Sequence, residues 1–496
     1  MPKTSPTSKD SITHADVHMY RVGTGDCLVV VFYAGENAVF KMMIDGGSYK
    51  ASELPKYVPD LLECVGKHVN ALIITHEHGD HVNAFSTCSG SFPDDFADEI
   101  WLAWSEKDGD KAVTAWKRNY GEKKMALAAA ASKLEKRFAG QSFAEEYKGA
   151  LMETARNNFA GAVTALAELH LSVDANGVYA GGLKGMEEVK KRLGRDAQGN
   201  EKIQYFRPGQ VMENIPGLEG IRIYVLGPPE SWDAVGKETP EDDGEAYKHS
   251  KNLAQDNAFV MAMNASQTTA GLNDLLPFES RYDAKQVSPE WTAYRNAQSA
   301  WRRIDNDWLM AAGPLALRLD SGTNNLSFAL AIEFIKSGRV MLFPGDAEYG
   351  NWASWHDIDW KRYGKEAAKK KKHLTEDLLN RTVFFKVAHH LSHNGTAKRL
   401  GLEMMTHEDL CAMVTLDYDI ISANWKSTMP NRYMLSELID RTDGRLIIMN
   451  EQGLPHEGSG SVHAQIAAAR AKLTKKEQAA LEQSPGLCLT YRVSGT

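Results

Sequence analysis

Residues 71–81 read ALIITHEHGDH, a short apolar run that ends in three histidines and an aspartate. The run from Ala71 to Thr75 has the length and the β-branched content of a buried strand. His76 and His78 follow it two positions apart, so on an extended backbone both side chains point to the same side. Two imidazoles placed in this way can hold one cation together. The stretch therefore predicts a metal site at the end of a strand.

The end of the same stretch extends this site. A glycine after His78 lets the chain bend, and Asp80 and His81 then face a neighbouring position for a second cation. Imidazole and carboxylate are ligands that Zn²⁺, Mn²⁺ and iron favour, and so dense a cluster would repel itself if it were protonated and left empty. The plain alternative is a polar turn that merely contains histidines. The spacing H-x-H-x-D-H after a strand favours the metal site.

Length and composition indicate a globular protein without a global signal for nucleic-acid binding. The 496 residues could form two or three domains, or one domain with large insertions. Hydrophobic residues make up 43% and charged residues 25%, and the net charge of −8 restricts any nucleic-acid contact to a local patch. Five scattered cysteines without a C-x-x-C pair indicate reduced thiols. Because residues 1–15 are polar and no apolar run is long enough to cross a bilayer, we expect a soluble, cytoplasmic protein without membrane contact.

Strand-like and helix-like patterns predict an interrupted α/β core. We predict a first half of the core at 14–99, a helical insertion at 100–215, a core strand at 216–230, a second insertion at 231–315, the second half of the core at 316–456, and two helices with a final strand at 457–496. Among the individual elements, strands are predicted at Val340–Phe343 and Val414–Ser422. A capping box at Thr474 and Glu477 is predicted to begin the last helix.

Further candidate ligands follow other predicted strands. Asp45, Asp346 and the pair His389-His390 each come directly after an apolar β-type run, so they would emerge at the same edge of a sheet if those strands are neighbours. Asp346 also follows a Pro-Gly turn, and an aspartate between two cations can bridge them. The alternatives are an ordinary turn aspartate and a solvated strand end. A pair of cations needs more ligands than residues 76–81 supply, which favours the metal interpretation.

The order of these motifs resembles the metallo-β-lactamase superfamily, and within it the hydrolase domain of the competence protein ComEC and its soluble relatives. The resemblance covers about half of the chain. The motifs that carry it are Val22–Asp26 (VGTGD), Ile44–Gly47 (IDGG), the H-x-H-x-D-H stretch, Asn325–Ser327 (NLS), Leu342–Ala347 (LFPGDA) and Lys386–Ser392 (KVAHHLS).

Three positions depart from the family pattern. Leu391 stands where the subgroup has a glycine after its two histidines, and Met429-Pro430 stands where relatives have His-Pro. The histidine that completes the first metal site in many members has no clear counterpart here. His249 is a candidate by position, and the alternative for it is a surface histidine. The catalytic acid is therefore left open.

The resemblance implies a fold, a cofactor and roles for the candidate residues. The fold would be a four-layer αββα sandwich with large, mainly helical insertions and with two divalent metal ions at one edge; Zn²⁺ is the first choice and Mn²⁺ the second. The implied ligands are His76 and His78 for one metal, Asp80, His81 and either His389 or His390 for the other, and Asp346 as the bridge. Asp45 would orient a ligand histidine through its other ring nitrogen. Asp80 and Asp45 are thus the implied catalytic carboxylates.

Such a centre predicts hydrolysis by a hydroxide shared between the metals. The subgroup resemblance favours phosphodiester substrates, either a nucleic acid or a nucleotide. Two basic patches lend local support to DNA or RNA: Lys117–Arg137 holds seven basic and two acidic residues, and Lys365–Lys372 holds five lysines and one glutamate. Aromatic residues near the patches could stack bases; they are Trp116, Tyr120, Trp355, Trp360 and Tyr363. The alternative for each patch is a solvated helix face beside core aromatics.

Two other functions stay open. The first is hydrolysis of small esters, lactones or phosphorylcholine-type molecules on the same site. The second is a non-catalytic interaction module in which the insertions bind a partner. Loss of the candidate ligands would indicate such a module, and they are present, so we rank it last.

Overall fold

The computed structural model describes residues 11–138, 170, 172–173, 179–180, 183–237, 289, 319–362, 373–421, 429–455, 461–483 and 486–496. The chain forms two compact units. The first comprises Met1–Asp110, Gly182–Lys248 and Ser321–Thr496, and the second comprises Lys111–Gly181 and His249–Asp320. All strands of the two large sheets belong to the first unit.

The described strands are, in chain order, β1 His14–Tyr20, β2 Leu28–Ala34, β3 Asn37–Ile44, β4 Val69–Ile73, β5 Ala97–Ala103, β6 Ser172–Val173, β7 Tyr179–Ala180, β8 Ile203–Phe206, β9 Val211–Met212, β10 Ile221–Val225, β11 Leu330–Phe334, β12 Val340–Phe343, β13 Thr382–Lys386, β14 Cys411–Val414, β15 Leu446–Ile448 and β16 Cys488–Ser494. The helices used below are α1 Leu54–Val65, α2 Gly79–Thr87, α3 Lys111–Phe138, α4 Lys184–Glu188, α5 Trp232–Val235, α6 Tyr349–Ser354, α7 Leu374–Asn380, α8 Arg432–Arg441, α9 Val462–Arg470 and α10 Lys475–Leu481.

Two mixed seven-stranded sheets form the first unit. The first sheet has the order β16-β1-β2-β3-β4-β5-β8 and the second has the order β15-β14-β13-β12-β11-β10-β9. In the first sheet β3, β4, β5 and β8 run parallel, with Ile44 paired to Ile73. In the second sheet β12 to β15 run parallel, with Leu342 paired to Phe385. Each sheet therefore carries a set of strands whose carboxyl ends meet at one edge.

Alternating side chains divide the core into two clusters. In β12, Met341 and Phe343 lie in a cluster that contains residues of both sheets, whereas Leu342 lies in a second cluster with side chains of α6, α7 and α8. An aromatic pair crosses between the sheets: the ring of Phe384 in β13 stacks on that of Tyr491 in β16 at 6.3 Å. Helices α1, α2 and α4 contribute apolar residues to the first cluster. The unit is therefore an α/β fold consistent with a sandwich.

The structure alters several predicted boundaries. The range 100–215, predicted as a helical insertion, contains most of β5 and all of β8 and β9, which belong to the two sheets. The strand predicted at Val414–Ser422 lies earlier, at Cys411–Val414. The strand at Val340–Phe343 has the predicted bounds, and the capping box of Thr474 and Glu477 is present at the start of α10.

The described part of the second unit is small. It contains α3 and the two-stranded sheet β6-β7. In α3 the rings of Trp116 and Tyr120 stack at 4.2 Å, and the Tyr120 hydroxyl donates a hydrogen bond to the carbonyl of Leu319 at 2.7 Å. No helix among the described residues combines the length and the hydrophobicity that crossing a bilayer requires.

Candidate metal centre

Strand ends from both sheets place the candidate residues. Asp45 follows β3 directly, the H-x-H-x-D-H stretch follows β4 and leads into α2, and Asp346 follows β12 after a Pro-Gly turn. The pair His389-His390 lies in a short turn after β13. Because the carboxyl ends of parallel strands meet at one edge, this topology brings distant parts of the chain together.

Four ligand-type side chains form a buried cluster: Asp80, His81, Asp346 and His390. One ligand atom from each lies within 4.8 Å of the others. His390 Nε2 is 3.2 Å from Asp80 Oδ2 and 3.1 Å from Asp346 Oδ2, and His81 Nε2 is also 3.1 Å from Asp346 Oδ2. Tetrahedral ligands around zinc, at bond lengths near 2.0 Å, lie about 3.3 Å from one another. The cluster therefore has the donor types and the spacing of a metal site.

An unsatisfied oxygen supports the same conclusion. Within the described part of the chain, Asp80 Oδ1 is buried and accepts no hydrogen bond. His81 Nε2 lies 3.9 Å from it, beyond hydrogen-bond distance, and a buried carboxylate oxygen that accepts no hydrogen bond is costly unless a positive charge compensates it closely. A cation held by the four side chains would supply that charge.

Asp45 and Thr75 surround the Nδ1 side of His81. Asp45 Oδ2 lies 2.8 Å from His81 Nδ1 and also accepts a hydrogen bond of 2.6 Å from the Thr75 hydroxyl, while Asp45 Oδ1 accepts one of 2.7 Å from the Thr75 amide. A carboxylate beside Nδ1 keeps the proton on that nitrogen and leaves Nε2 for the cluster.

The two adjacent histidines lie in a turn of left-handed backbone, and their side chains have different neighbours. His389, His390 and Leu391 have φ angles of 48°, 48° and 67°. His390 enters the cluster, whereas His389 lies outside it, with Nδ1 3.2 Å from Glu348 Oε1. Of the two residues that the sequence left open, His390 is therefore the one beside Asp80 and Asp346.

His76 and His78 face each other, as their spacing predicts. His76 Nε2 lies 3.0 Å from His78 Nδ1, and both residues are buried. His76 Nδ1 is 3.0 Å from the Thr75 hydroxyl, and the ring of His76 is 4.1 Å from that of His81. The pair therefore offers two imidazole donors beside the four-residue cluster.

Opposite charges in the cluster shift the pKa values of its members in opposite directions. Burial alone would lower the pKa of His81, but the carboxylates of Asp346, Asp45 and Asp80 outweigh it and raise that pKa well above its usual value. Burial would raise the pKa of Asp346, but His390, His81 and Lys386 hold it well below its usual range. Protons on the histidines thus balance the carboxylates where a metal ion would otherwise do so.

Burial is the main cause of the pKa shifts of two other residues near the cluster, His76 and Asp45. Burial lowers the pKa of His76 well below its usual value, with a further contribution from His81. This favours the neutral imidazole, which is the form that binds metals. Burial also raises the pKa of Asp45, against the opposing effect of His81.

Close backbone packing surrounds the cluster. A Cβ atom at Gly47 would lie 2.2 Å from the carbonyl carbon of Asp80, and one at Gly345 would lie 2.8 Å from Thr75 Cβ. Gly345 also has a φ of 61°, which favours glycine. The glycines of the Asp-Gly-Gly and Pro-Gly-Asp motifs therefore let the strands on either side approach the ligand residues.

Some residues beside the cluster were not identified as site residues from the sequence. Asp26 and Lys386 lie in motifs that carried the family resemblance, and both are buried. Lys386 contacts Asp26 Oδ2, and its Nζ lies 3.1 Å from Asp346 Oδ1. A charged residue at the end of an otherwise apolar strand was an available signal for Lys386. Thr415 and Glu348 carried no comparable signal.

Several predicted contributors lie elsewhere. Trp355 and Trp360 are buried in the second core cluster and present no open face for stacking bases. His249, Tyr363 and the lysines of Lys365–Lys372 lie outside the described residues. So do several side chains of the patch Lys117–Arg137, including all of its basic residues beyond Lys124.

Comparisons of the chain with protein families, with curated proteins and with solved structures found no match. The geometry of the buried histidines and aspartates is therefore the main structural support for a function.

Proposed function

We propose that this protein is a metal-dependent hydrolase with the metallo-β-lactamase fold. Two mixed seven-stranded sheets support the proposal, as does the order of the motifs along the chain. The single observation that carries it is the buried cluster of Asp80, His81, Asp346 and His390, drawn from strand ends in both sheets. Such a cluster fits a divalent cation in donor type and spacing.

In this proposal the candidate ligands divide between two metal ions. The cluster would hold one divalent ion, His76 and His78 would contribute to a second, and Asp346 would be the carboxylate shared by the two. When bound, such ions lower the pKa of water towards neutrality and stabilise developing negative charge. Asp45, next to His81 Nδ1, favours the tautomer in which Nε2 would be free to bind an ion. Zn²⁺ is the first choice for a site of imidazoles and carboxylates, and Mn²⁺ is the second.

We infer phosphodiesters, in a nucleic acid or a nucleotide, as the substrate class. The motif order favours this class over esters and lactones. Base stacking on Trp355 and Trp360 does not contribute to the inference, since both rings are buried. Hydrolysis of small esters or lactones is the result that would replace it.

A substrate screen with ligand variants tests the proposal. The protein loaded with Zn²⁺ or Mn²⁺ is assayed on bis-p-nitrophenyl phosphate, DNA, RNA and a lactone. We expect phosphodiester cleavage by the wild-type protein and a loss of about 10³-fold in the variants His78→Ala, Asp80→Ala and His390→Asn, because a bound metal supplies several kcal/mol of transition-state stabilisation. His68→Gln, at an exposed histidine paired with Asp98, is the matched control.

Metal content and circular dichroism are measured on the same samples. The variants should lose metal while keeping their secondary structure. Full turnover by a metal-free double variant, or metal-loaded wild-type protein without activity on any phosphodiester, would contradict the proposal.

A further inference from the structure

Three buried residues beside the cluster, Lys386, Thr415 and Asp26, form a connected chain of contacts. Lys386 is the last residue of β13, Thr415 follows β14 directly, and Asp26 precedes β2. Each is at most 1% exposed. They connect Asp346 with His390, the two members of the cluster that the second sheet supplies.

Hydrogen-bond directions along this chain fix the tautomer of His390. The Thr415 hydroxyl donates to Asp26 Oδ1 at 2.7 Å, which commits its single proton. The Thr415 hydroxyl oxygen also lies 2.8 Å from His390 Nδ1, so it accepts a hydrogen bond from that nitrogen. The proton of a neutral His390 is therefore on Nδ1, and the Nε2 lone pair faces Asp80 and Asp346.

Lys386 fixes the two carboxylates at the other end of the chain. Its ammonium contacts Asp26 Oδ2 and lies 3.1 Å from Asp346 Oδ1 and 3.2 Å from the Gly345 carbonyl. The contacts with Asp346 and Gly345 are hydrogen bonds that the ammonium donates, and the contact with Asp26 is an ion pair. The His389 amide also donates to Asp346 Oδ1, at 3.2 Å. Asp346 Oδ2 is thereby left for the cluster.

We propose that Lys386, Asp26 and Thr415 act as a positioning relay that orients His390 and Asp346 for a divalent cation and so sets the metal affinity of the centre. This inference deepens the proposed function and rests on its metal site. His81 and His390 are held by different means. A carboxylate hydrogen-bonds with His81 directly, whereas the hydrogen-bond partner of His390 Nδ1 is the Thr415 hydroxyl and Asp26 Oδ1 is 3.7 Å from that nitrogen, beyond hydrogen-bond distance. The relay can therefore be cut at one hydroxyl group while every charged residue stays in place.

Two substitutions at Thr415 test the relay. Thr415→Val keeps the shape of the side chain and removes the hydroxyl, whereas Thr415→Ser keeps the hydroxyl. The measurement is Zn²⁺ affinity by competition with a chromophoric chelator, together with the absorption spectrum of the Co²⁺-loaded protein. We expect Thr415→Val to weaken Zn²⁺ binding by roughly 10- to 100-fold, the usual effect of losing a group that orients a ligand, and to alter the Co²⁺ spectrum. Thr415→Ser should stay close to the wild-type protein in both.

A second buried threonine controls for packing. Thr442 is also fully buried and donates its hydroxyl proton to the Leu438 carbonyl, within α8 and its end. Thr442→Val makes the same chemical change away from the centre, so it should leave the Zn²⁺ affinity unchanged.

The tautomer can also be observed without a variant at Thr415. In the zinc-loaded wild-type protein, long-range ¹H–¹⁵N spectra of the histidine rings should show a proton on Nδ1 of His390, with His390→Asn identifying the signal. Unchanged Zn²⁺ affinity in Thr415→Val, or a proton on Nε2, would overturn the relay. Wild-type protein that binds Zn²⁺ tightly but hydrolyses nothing would contradict the hydrolase and leave the relay standing. Wild-type protein that binds no divalent ion would overturn both.

Discussion

A left-handed turn at His389, His390 and Leu391 places His390, and not His389, in the cluster. Left-handed backbone at a residue with a Cβ costs about 1–2 kcal/mol, and His389, His390 and Leu391 adopt it in succession. Such strain persists only where the surroundings compensate for it. Leu391 is fully buried in the second core cluster, so its packing contributes that compensation. Packing of the Leu391 side chain thus anchors the turn.

Substitutions at Leu391 should separate strain from packing. Leu391→Ala removes buried methyl groups, at about 2–5 kcal/mol, and keeps the strain. Leu391→Gly removes these groups and the Cβ atom as well, and without a Cβ it relieves about 1 kcal/mol of strain. We therefore expect it to be the more stable of the two variants, although less stable than the wild-type protein. Urea unfolding measures both. Equal or lower stability of the glycine variant would contradict a strained turn.

Gly47 is a second residue whose replacement is expected to disturb the cluster, because the structure has no room for a Cβ atom there. An added Cβ would lie 2.2 Å from the Asp80 carbonyl carbon and 2.4 Å from the His81 amide nitrogen. We expect Gly47→Ala to displace both ligands, to destabilise the fold by about 1–3 kcal/mol, and to weaken Zn²⁺ binding. Gly90→Ala is the matched control, because nothing lies within 4 Å of a Cβ there. Zn²⁺ affinity and urea unfolding are measured for both, and equal behaviour would contradict the close-packing argument.

At the scale of elements, the sequence predicts where strands end better than it predicts the conformation of the segments that connect them. Asp45 and Asp346 each follow an apolar β-type run, and this predicted that they lie at one edge of a sheet. Such a prediction is possible because a buried strand has a recognisable local pattern of hydrophobic residues. The choice between His389 and His390 depends on a left-handed turn that no local pattern encodes. The strands within 100–215 were missed because alanine-rich helical periodicity dominates that range, although the short strand Ile203–Phe206 completes the first sheet.

The capping box of α10 gives a prediction for the pH dependence of stability. Glu477 accepts hydrogen bonds from the Thr474 hydroxyl and amide and contacts Arg445, which together lower its pKa to about 2. A pKa that is lower in the folded state than in the unfolded state stabilises the fold above the unfolded value and loses that effect as the pH falls towards 2.

Glu477→Gln should therefore lower the free energy of unfolding at pH 7. The carboxylate is partly exposed and screened, so the expected difference is on the order of 0.5 kcal/mol. That difference should shrink as the pH drops from about 4 towards 2, because the wild-type carboxyl is then protonated as well. Denaturant unfolding at several pH values measures it, with Glu482→Gln removing the same charge from an exposed neighbour. A difference that stays constant down to pH 2 would argue against the capping carboxylate as its source.

At the scale of the molecule, the candidate centre joins the two sheets. Asp80 and His81 lie at the start of α2 after β4 of the first sheet, whereas Asp346 and His390 follow β12 and β13 of the second. The hydrophobic cluster between the sheets already holds them together. A cation bound by ligands from both sheets would add a connection at the edge, so metal binding and folding should be linked.

Removal of metal should therefore lower the stability of the first unit as a whole. A ligand that binds only the folded state stabilises it by about 2.7 kcal/mol when its free concentration is a hundred times its dissociation constant. We expect chelator-treated protein to unfold at a lower temperature and Zn²⁺ or Mn²⁺ to restore the original value. The double variant His81→Asn/His390→Asn should show no such shift, whereas His68→Gln should behave like the wild-type protein. Hydrogen exchange should slow in strands of both sheets on metal addition, because the ligands come from both. Protection confined to one sheet would mean that the ion does not connect them.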